Sequence, residues 1–169
     1  MTKRDASYAG SRQAYMDQYD YIITRLKNMC LSAAGLVIGS GSKKKVKIAN
    51  TVTYLSDRIF KSKTTAEVDF TATTHDIAAN ASSVQEAMYL ITLSANGTPT
   101  VTMGTVSTGA GTAKLPEIPS TGTPIGAVRV AVAAGSTIFD ATSDDLDAVH
   151  LTVTYYDYGF LAAEFNTEL

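Results

Sequence analysis

Residues 114–132 read KLPEIPSTGTPIGAVRVAV, a loop carrying Pro116, Pro119 and Pro124 that runs into a strand where Val128, Val130 and Val132 alternate with Ala127, Arg129 and Ala131. Proline has no backbone N–H and a locked φ, so this spacing makes a stiff, extended connector that cannot be helical. The β-branched residues that follow recur with period 2, the pattern of a pleated, half-buried surface. A rigid connector entering a core strand is scaffold, and the neighbouring segments carry the same signals.

Immediately upstream, residues 88–95 are apolar on both faces, with Met88 and Leu90 opposed to Tyr89, Ile91 and Leu93, as a central strand requires. Asn96-Gly97 follows. Both residues tolerate positive φ, so a type I′ turn is expected, pairing 88–95 antiparallel with 98–106. Residues 107–112, STGAGT, read as a small-residue loop. Further back, Val46, Ile48, Val52 and Tyr54 lie on one face opposite Lys47, Ala49, Thr51 and Thr53. Ser56-Asp57-Arg58 reads as a tight turn into Ile59-Phe60, which makes a hairpin. In 67–71 Val68 and Phe70 point in from a surface strand, and 73–83 is a polar loop. Downstream of the valine strand, 133–147 reads as a loop with Ile138 and Phe139 tucked inward. The last strand, 149–157, puts Leu151, Val153 and Tyr155 on one face. Seven or so short strands with turn signals between them predict a mainly β fold, an antiparallel β-sandwich or jelly-roll-like domain over residues 36–169.

The first ten residues are small and polar and read as a flexible arm. Between Ser11 and Gly35 the apolar positions Tyr15, Tyr19, Ile22, Leu26, Met29 and Ala33 recur at alternating spacings of four and three. That rhythm predicts an amphipathic helix over 11–35, with Ser11 as its cap and Gly35 at its stop. Such a stripe either docks on its own domain or joins identical subunits. The second reading nominates Tyr15, Tyr19, Ile22, Leu26 and Met29 as interface residues, needing the rest of the fold behind so short a seam.

A chain of 169 residues that is 45% hydrophobic and 18% charged can bury a real core. Its net charge of −2 argues against a nucleic-acid binder that works by phosphate neutralisation. The single cysteine, Cys30, excludes an internal disulfide. The N-terminus lacks the apolar core of a signal peptide and no apolar run approaches a membrane span, so a soluble, cytoplasmically made protein is expected. The sequons at Asn80 and Asn96 then read as turns.

Chemistry is sparse. His75 and His150 have neither a cysteine nor a second histidine at ligand spacing, and no G-x-S-x-G elbow exists, so no metal, cofactor or catalytic residue is expected. Gly35-Leu-Val-Ile-Gly-Ser-Gly-Ser-Lys-Lys-Lys45 resembles a phosphate-binding loop, yet Ser42 follows Gly41 where lysine is needed. Lys43, Lys44 and Lys45 read instead as a solvated basic turn suited to an acidic partner surface. Asp140, Asp144, Asp145 and Asp147 lack the glycine and terminal glutamate of a calcium hand and read as turn-formers whose carboxylates cap local N–H groups. Tyr155, Tyr156, Tyr158, Phe160 and Phe165 form the densest aromatic group; Tyr156, Tyr158 and Phe160 are nominated for a subunit contact. Stacking on a sugar is the other use of such rings, though tryptophan is absent.

Four runs together carry a resemblance: SKKKVKIANTVTYLSDRIFKSKTTAEVDFTATTHDIAA, VQEAMYLITLSANGTPTVTMG, LPEIPSTGTPIGAVRVAV and FDATSDDLDAVHLTVTYYDYG, spanning roughly residues 40–160. This combination resembles virion structural proteins of tailed bacteriophages and is similar to capsid decoration (cement) proteins and head fibre modules. The resemblance implies a homotrimer, a major capsid protein or other virion component as partner, and a place on the head surface after assembly in the bacterial cytoplasm. It implies no catalytic residue, and the net charge and the lack of an apolar span leave neither a nucleic-acid nor a membrane partner expected. A neck, tail or fibre module binding a receptor or host-surface glycan is the alternative. For the decoration reading Lys43, Lys44 and Lys45 are the proposed shell contact.

Overall fold

The computed structural model describes residues 27–70, 75–119 and 121–159. Its strands, in chain order, are β1 (Met29–Cys30), β2 (Leu36–Ile38), β3 (Lys45–Ile48), β4 (Val52–Ser56), β5 (Ile59–Lys63), β6 (Ala66–Asp69), β7 (Gln85–Leu93), β8 (Pro99–Met103), β9 (Ser107–Thr108), β10 (Thr123–Val132) and β11 (Leu151–Asp157). The fold is mainly β, with three antiparallel sheets: β11-β10-β7-β8 with β9 added on β7, β1-β4-β5, and β2-β3-β6. No helix among the described residues is long and apolar enough to cross a membrane.

The run read as apolar on both faces and the alternating valine run find each other. β7 and β10 pair from Leu93↔Thr123 at one end to Gln85↔Val132 at the other, and both are buried almost throughout. β10 was expected to be half-buried; it is the centre of the large sheet, with β11 on its other side. The strand also begins earlier than the proline pattern suggested, because Pro124 lies inside it. Proline inside a central strand is tolerated at a bulge, where the ladder is already broken. The register indeed shifts between Pro124 and Gly126, and the carbonyl of the extra residue, Ile125, accepts the Tyr158 N–H at 3.1 Å.

The small sheets turn the predicted faces inward. Val46, Ile48, Val52, Tyr54, Val68 and Phe70 are buried, and they share one core with Tyr89, Ile91, Leu93, Val128 and Val130 of the large sheet. Each such side chain removed from water contributes roughly 1.5–3 kcal/mol. Two polar links fix the small sheets on the large one: Thr123 Oγ1 donates to the Leu55 carbonyl at 2.7 Å, and Asp157 accepts the Leu36 N–H at 3.0 Å. Gly126 makes the approach of β2 possible. A Cβ there would meet both Leu36 Cδ1 and the Tyr156 carbonyl oxygen at 2.5 Å.

Several expectations are corrected. The predicted helix over 11–35 does not reach Gly35: residues 27–28 form a turn, and Met29 and Cys30 pair with Leu55 and Tyr54 of β4. Its remaining part, 11–26, lies outside the described residues. The Asn96-Gly97 hairpin forms between β7 and β8, but not with a type I′ turn. Gly97 N donates to Ser94 O at 2.9 Å and Ser94 N to Thr98 O at 2.9 Å, and only Gly97 has positive φ, at 74°. This is a three-residue loop, a type I turn followed by a left-handed glycine. Ile138 is 46% exposed, whereas its neighbour Phe139 is buried as expected. Within 107–112 the short β9 reaches Gln85 and Glu86 of β7.

The two-residue type I′ turn lies instead in the β4–β5 hairpin, at Asp57 (φ 51°) and Arg58 (φ 66°), closed by Ser56↔Ile59. Neither residue is glycine, so the conformation costs on the order of 1 kcal/mol for each. Residues 27–28 hold it: Asp57 N donates to Asn28 Oδ1 and Arg58 N to Lys27 O, both at 3.0 Å, and Lys27 Nζ lies 2.8 Å from Asp57. Arg58→Gly should therefore raise stability by about 0.5–1 kcal/mol, seen as a higher urea midpoint at unchanged slope. A lower midpoint would show that the turn is unstrained.

Candidate functional site

Most of the titratable groups that gather among the described residues are bound to backbone or to an opposite charge. The largest such constellation was not anticipated from the sequence. Glu86, on β7, is fully buried, and its Oε2 accepts from Arg129 Nε at 2.7 Å and Nη2 at 2.5 Å. Its Oε1 accepts the N–H groups of Thr112 and Ala113, the latter at 2.7 Å. Burial alone would raise the pKa of the Glu86 carboxyl. The Ala113 N–H, the Arg129 guanidinium and the Gly111 N–H outweigh it and hold the group below the ordinary carboxylate value. The four-way arrangement fastens the 109–113 loop over the large sheet.

The acidic loop behaves as turn chemistry. Asp140 Oδ1 accepts Thr142 N at 2.8 Å and Thr142 Oγ1 at 2.6 Å, and Asp144 Oδ2 accepts Asp140 N at 2.8 Å. The Thr142 and Ser143 hydroxyls lead the donors that bring the Asp140 pKa down to about 2. Asp76, a neighbour from another segment, accepts Ala141 N at 2.8 Å. Among the described residues no group of three or more His, Cys, Asp or Glu side chains could hold a metal ion.

The histidines lie in different surroundings. His75 packs edge-on to Phe70 and Tyr89, with ring centroids 6.4 and 5.9 Å apart, and its carbonyl accepts the Tyr89 hydroxyl at 2.5 Å. His150 Nε2 lies 3.7 Å from Asp144 Oδ2, beyond hydrogen-bond reach. His75 Nδ1 and His150 Nε2 are both buried without a hydrogen-bond partner among the described residues. Cys30 donates to the Ser32 carbonyl at 3.0 Å, and burial pushes its thiol up to about 11, away from the thiolate that nucleophilic chemistry needs.

The nominated interface residues divide. Tyr15, Tyr19, Ile22, Leu26 and Phe160 lie outside the described residues. Met29 is half-buried in β1, opposite Leu55. Tyr156 remains 37% exposed on β11. Tyr158 is buried against Leu90 and Ala127 in a second, smaller core, where loss of water raises its phenol to about 12. That ring stabilises its own chain and is withdrawn from the surface.

The lysine turn is largely neutralised. Lys43 Nζ sits 2.6 Å from Asp147, and Lys45 Nζ 2.9 Å from Asp69, so the hydrogen bond and charge of each aspartate raise the pKa of its lysine. Lys44 is half-buried and makes no ion pair among the described residues. Further cations lie outside any ion pair among the described residues. Arg58, Lys61 and Lys63 sit on the β4–β5 hairpin beside Ile59 and Phe60, which are 60% and 73% exposed. A patch of this composition suits docking better than catalysis. Compared with known proteins, the chain matches no family model, no curated protein and no solved structure.

Proposed function

We propose that this chain is a non-enzymatic virion structural protein of a tailed phage, a capsid decoration protein that binds the head lattice and stabilises it as a homotrimer. Its three sheets would then be the layers of an antiparallel β-sandwich or jelly-roll-like domain. The observation that carries the reading is how the molecule divides its side chains. Of the buried polar groups among the described residues, Gln85, Glu86, Thr92 and Thr123 are engaged in fastening strands and loops, while Ile59, Phe60 and Val149 are left in water. A rigid scaffold with apolar residues on its outside is what adhesion to a lattice requires, and the resemblance of residues 40–160 to virion proteins supports the same reading.

The test is addition of the purified chain to phage heads that lack it. Saturable binding at a stoichiometry set by the lattice symmetry, with heads more resistant to heat, is the expected result. Heads that sediment without the chain at every concentration would overturn the proposal.

A further inference from the structure

The large sheet has two chemically opposite ends. At the Leu93↔Thr123 end sits the β4–β5 hairpin, tied there by Thr123 Oγ1 on Leu55 O and by Lys61 Nζ on the Ala95 carbonyl. Its register, Ser56↔Ile59 and Leu55↔Phe60, puts consecutive apolar residues on opposite faces of β5, and both are largely exposed. Arg58, Lys61 and Lys63 flank them, while Asp57 in the turn is bridged by Lys27. β5 is also an edge strand, with its outer side unpaired among the described residues. An apolar edge invites a partner, but two copies of β5 side by side would set lysine against lysine. The partner surface must therefore be acidic with an apolar centre.

The opposite end of the same molecule has that composition. Beyond the Gln85↔Val132 end, the 133–150 loop exposes Ile138 (46%) and Val149 (105%), and it carries Asp140, Asp144, Asp145 and Asp147. The 43–45 turn packs on this loop, with Leu146 N donating to the Lys43 carbonyl at 2.9 Å; Lys43 bridges Asp147 and also feels the charge of Asp145, which is itself exposed and in no ion pair among the described residues. Ten residues of β10 separate the two ends, about 30 Å of strand, so one molecule cannot satisfy itself. We propose that the chain associates with itself head to tail, the β4–β5 hairpin of one copy seating on the acidic 133–150 loop of the next. Such a contact is heterologous. It propagates instead of closing a pair, and it uses none of the residues assigned to the trimer seam.

Sedimentation velocity of the full chain over a concentration series tests this. Species should grow beyond any fixed oligomer as concentration rises, and association should weaken roughly tenfold when the salt concentration is raised about tenfold. Arg58→Glu alone and Asp145→Lys alone should each weaken association at least roughly tenfold. An equimolar mixture of the two should recover it, because the introduced carboxylate meets the introduced amine. Phe60→Ser should weaken association to a similar degree with no change in the salt slope. Circular dichroism melts that match wild type keep folding out of the comparison. The proposal is overturned if the chain stays at one fixed size throughout, which would leave the hairpin to a foreign acidic partner. It is equally overturned if growth is indifferent to both charge changes, or if the mixture associates no better than either variant alone.

Discussion

Glu86→Ala should lower the free energy of unfolding by about 3 kcal/mol or more, read from urea denaturation at unchanged slope. The substitution removes one carboxylate and leaves three consequences behind. The Arg129 guanidinium loses both of its contacts to Oε2, and the Thr112 and Ala113 N–H groups lose their acceptor. Because Arg129 is 23% exposed, water can partly rehydrate it, which keeps the expected loss toward the lower part of the range for broken buried pairs. The amides are worse placed, since the loop they belong to is held down by this very group. Replacing the pair together, Glu86→Leu with Arg129→Met, should cost clearly less than the sum of the single changes, because no charge is then stranded. Additivity of the two changes would refute the coupling.

The same residue sets a pH signature. The Glu86 carboxyl titrates lower in the folded chain than in the unfolded one, where glutamate ionises near pH 4.3. Its contribution is therefore complete above about pH 4.5 and is lost as pH falls through the lowered folded value. Wild type should lose stability across that acidic window more steeply than Glu86→Gln, which has no proton to take up there. Asp140 and Asp57 are also held low, but Asp57 is exposed and Asp140 only half-buried in a loop, so solvent screens both and they shape the acid limb less.

Alternation along single strands was legible because burial there is decided by neighbours two residues away. Val46, Ile48, Val52 and Tyr54 needed nothing else, nor did Val68 and Phe70. Where burial depends on distant chain, the sequence misled. Nothing in the sequence around Glu86, between Gln85 and Ala87, marks it for burial; the 109–113 loop that closes on it returns from more than twenty residues away. The usable signal was a glutamate just before the apolar run 88–95 and a lone arginine inside the valine strand. Met29 and Cys30 fitted a helical stripe because spacings of four and three do not exclude two residues of strand, and pairing with β4 prevailed over local rhythm. Asn96-Gly97 marked a hairpin correctly but not its loop length. Ser94 takes part in the closing bonds through both backbone and side chain, with Thr98 N donating to its Oγ at 3.1 Å. Of the candidate surfaces, the lysine turn was visible as a run of charge and its neutralisation was not. Asp69 and Asp147 reach it from strands and loops far along the chain.

Tyr89→Ala should be the most damaging apolar change in the described core, with a loss of about 3–5 kcal/mol. Tyr89 lies in the middle of β7, opposite Val128 on one side and Met103 on the other, and it is fully buried. Its ring meets Phe70 just past β6 at 4.9 Å and Phe139 from the 133–150 loop at 6.4 Å, so one side chain joins a small sheet, the large sheet and the long loop. The backbone around Phe139 is fixed to Ile77 by two hydrogen bonds of 3.0 Å, which leaves the neighbourhood little freedom to collapse into the space an alanine would open. Tyr89→Phe separates the ring from its hydroxyl. It keeps the packing and deprives the His75 carbonyl of its donor, so it should cost only about 1–2 kcal/mol. For a chain of this size the alanine variant should melt about 8–15 °C lower than wild type, and the phenylalanine variant no more than about 8 °C lower. Equal losses in the two variants would mean that the hydrogen bond to His75, and not the ring, joins these three segments.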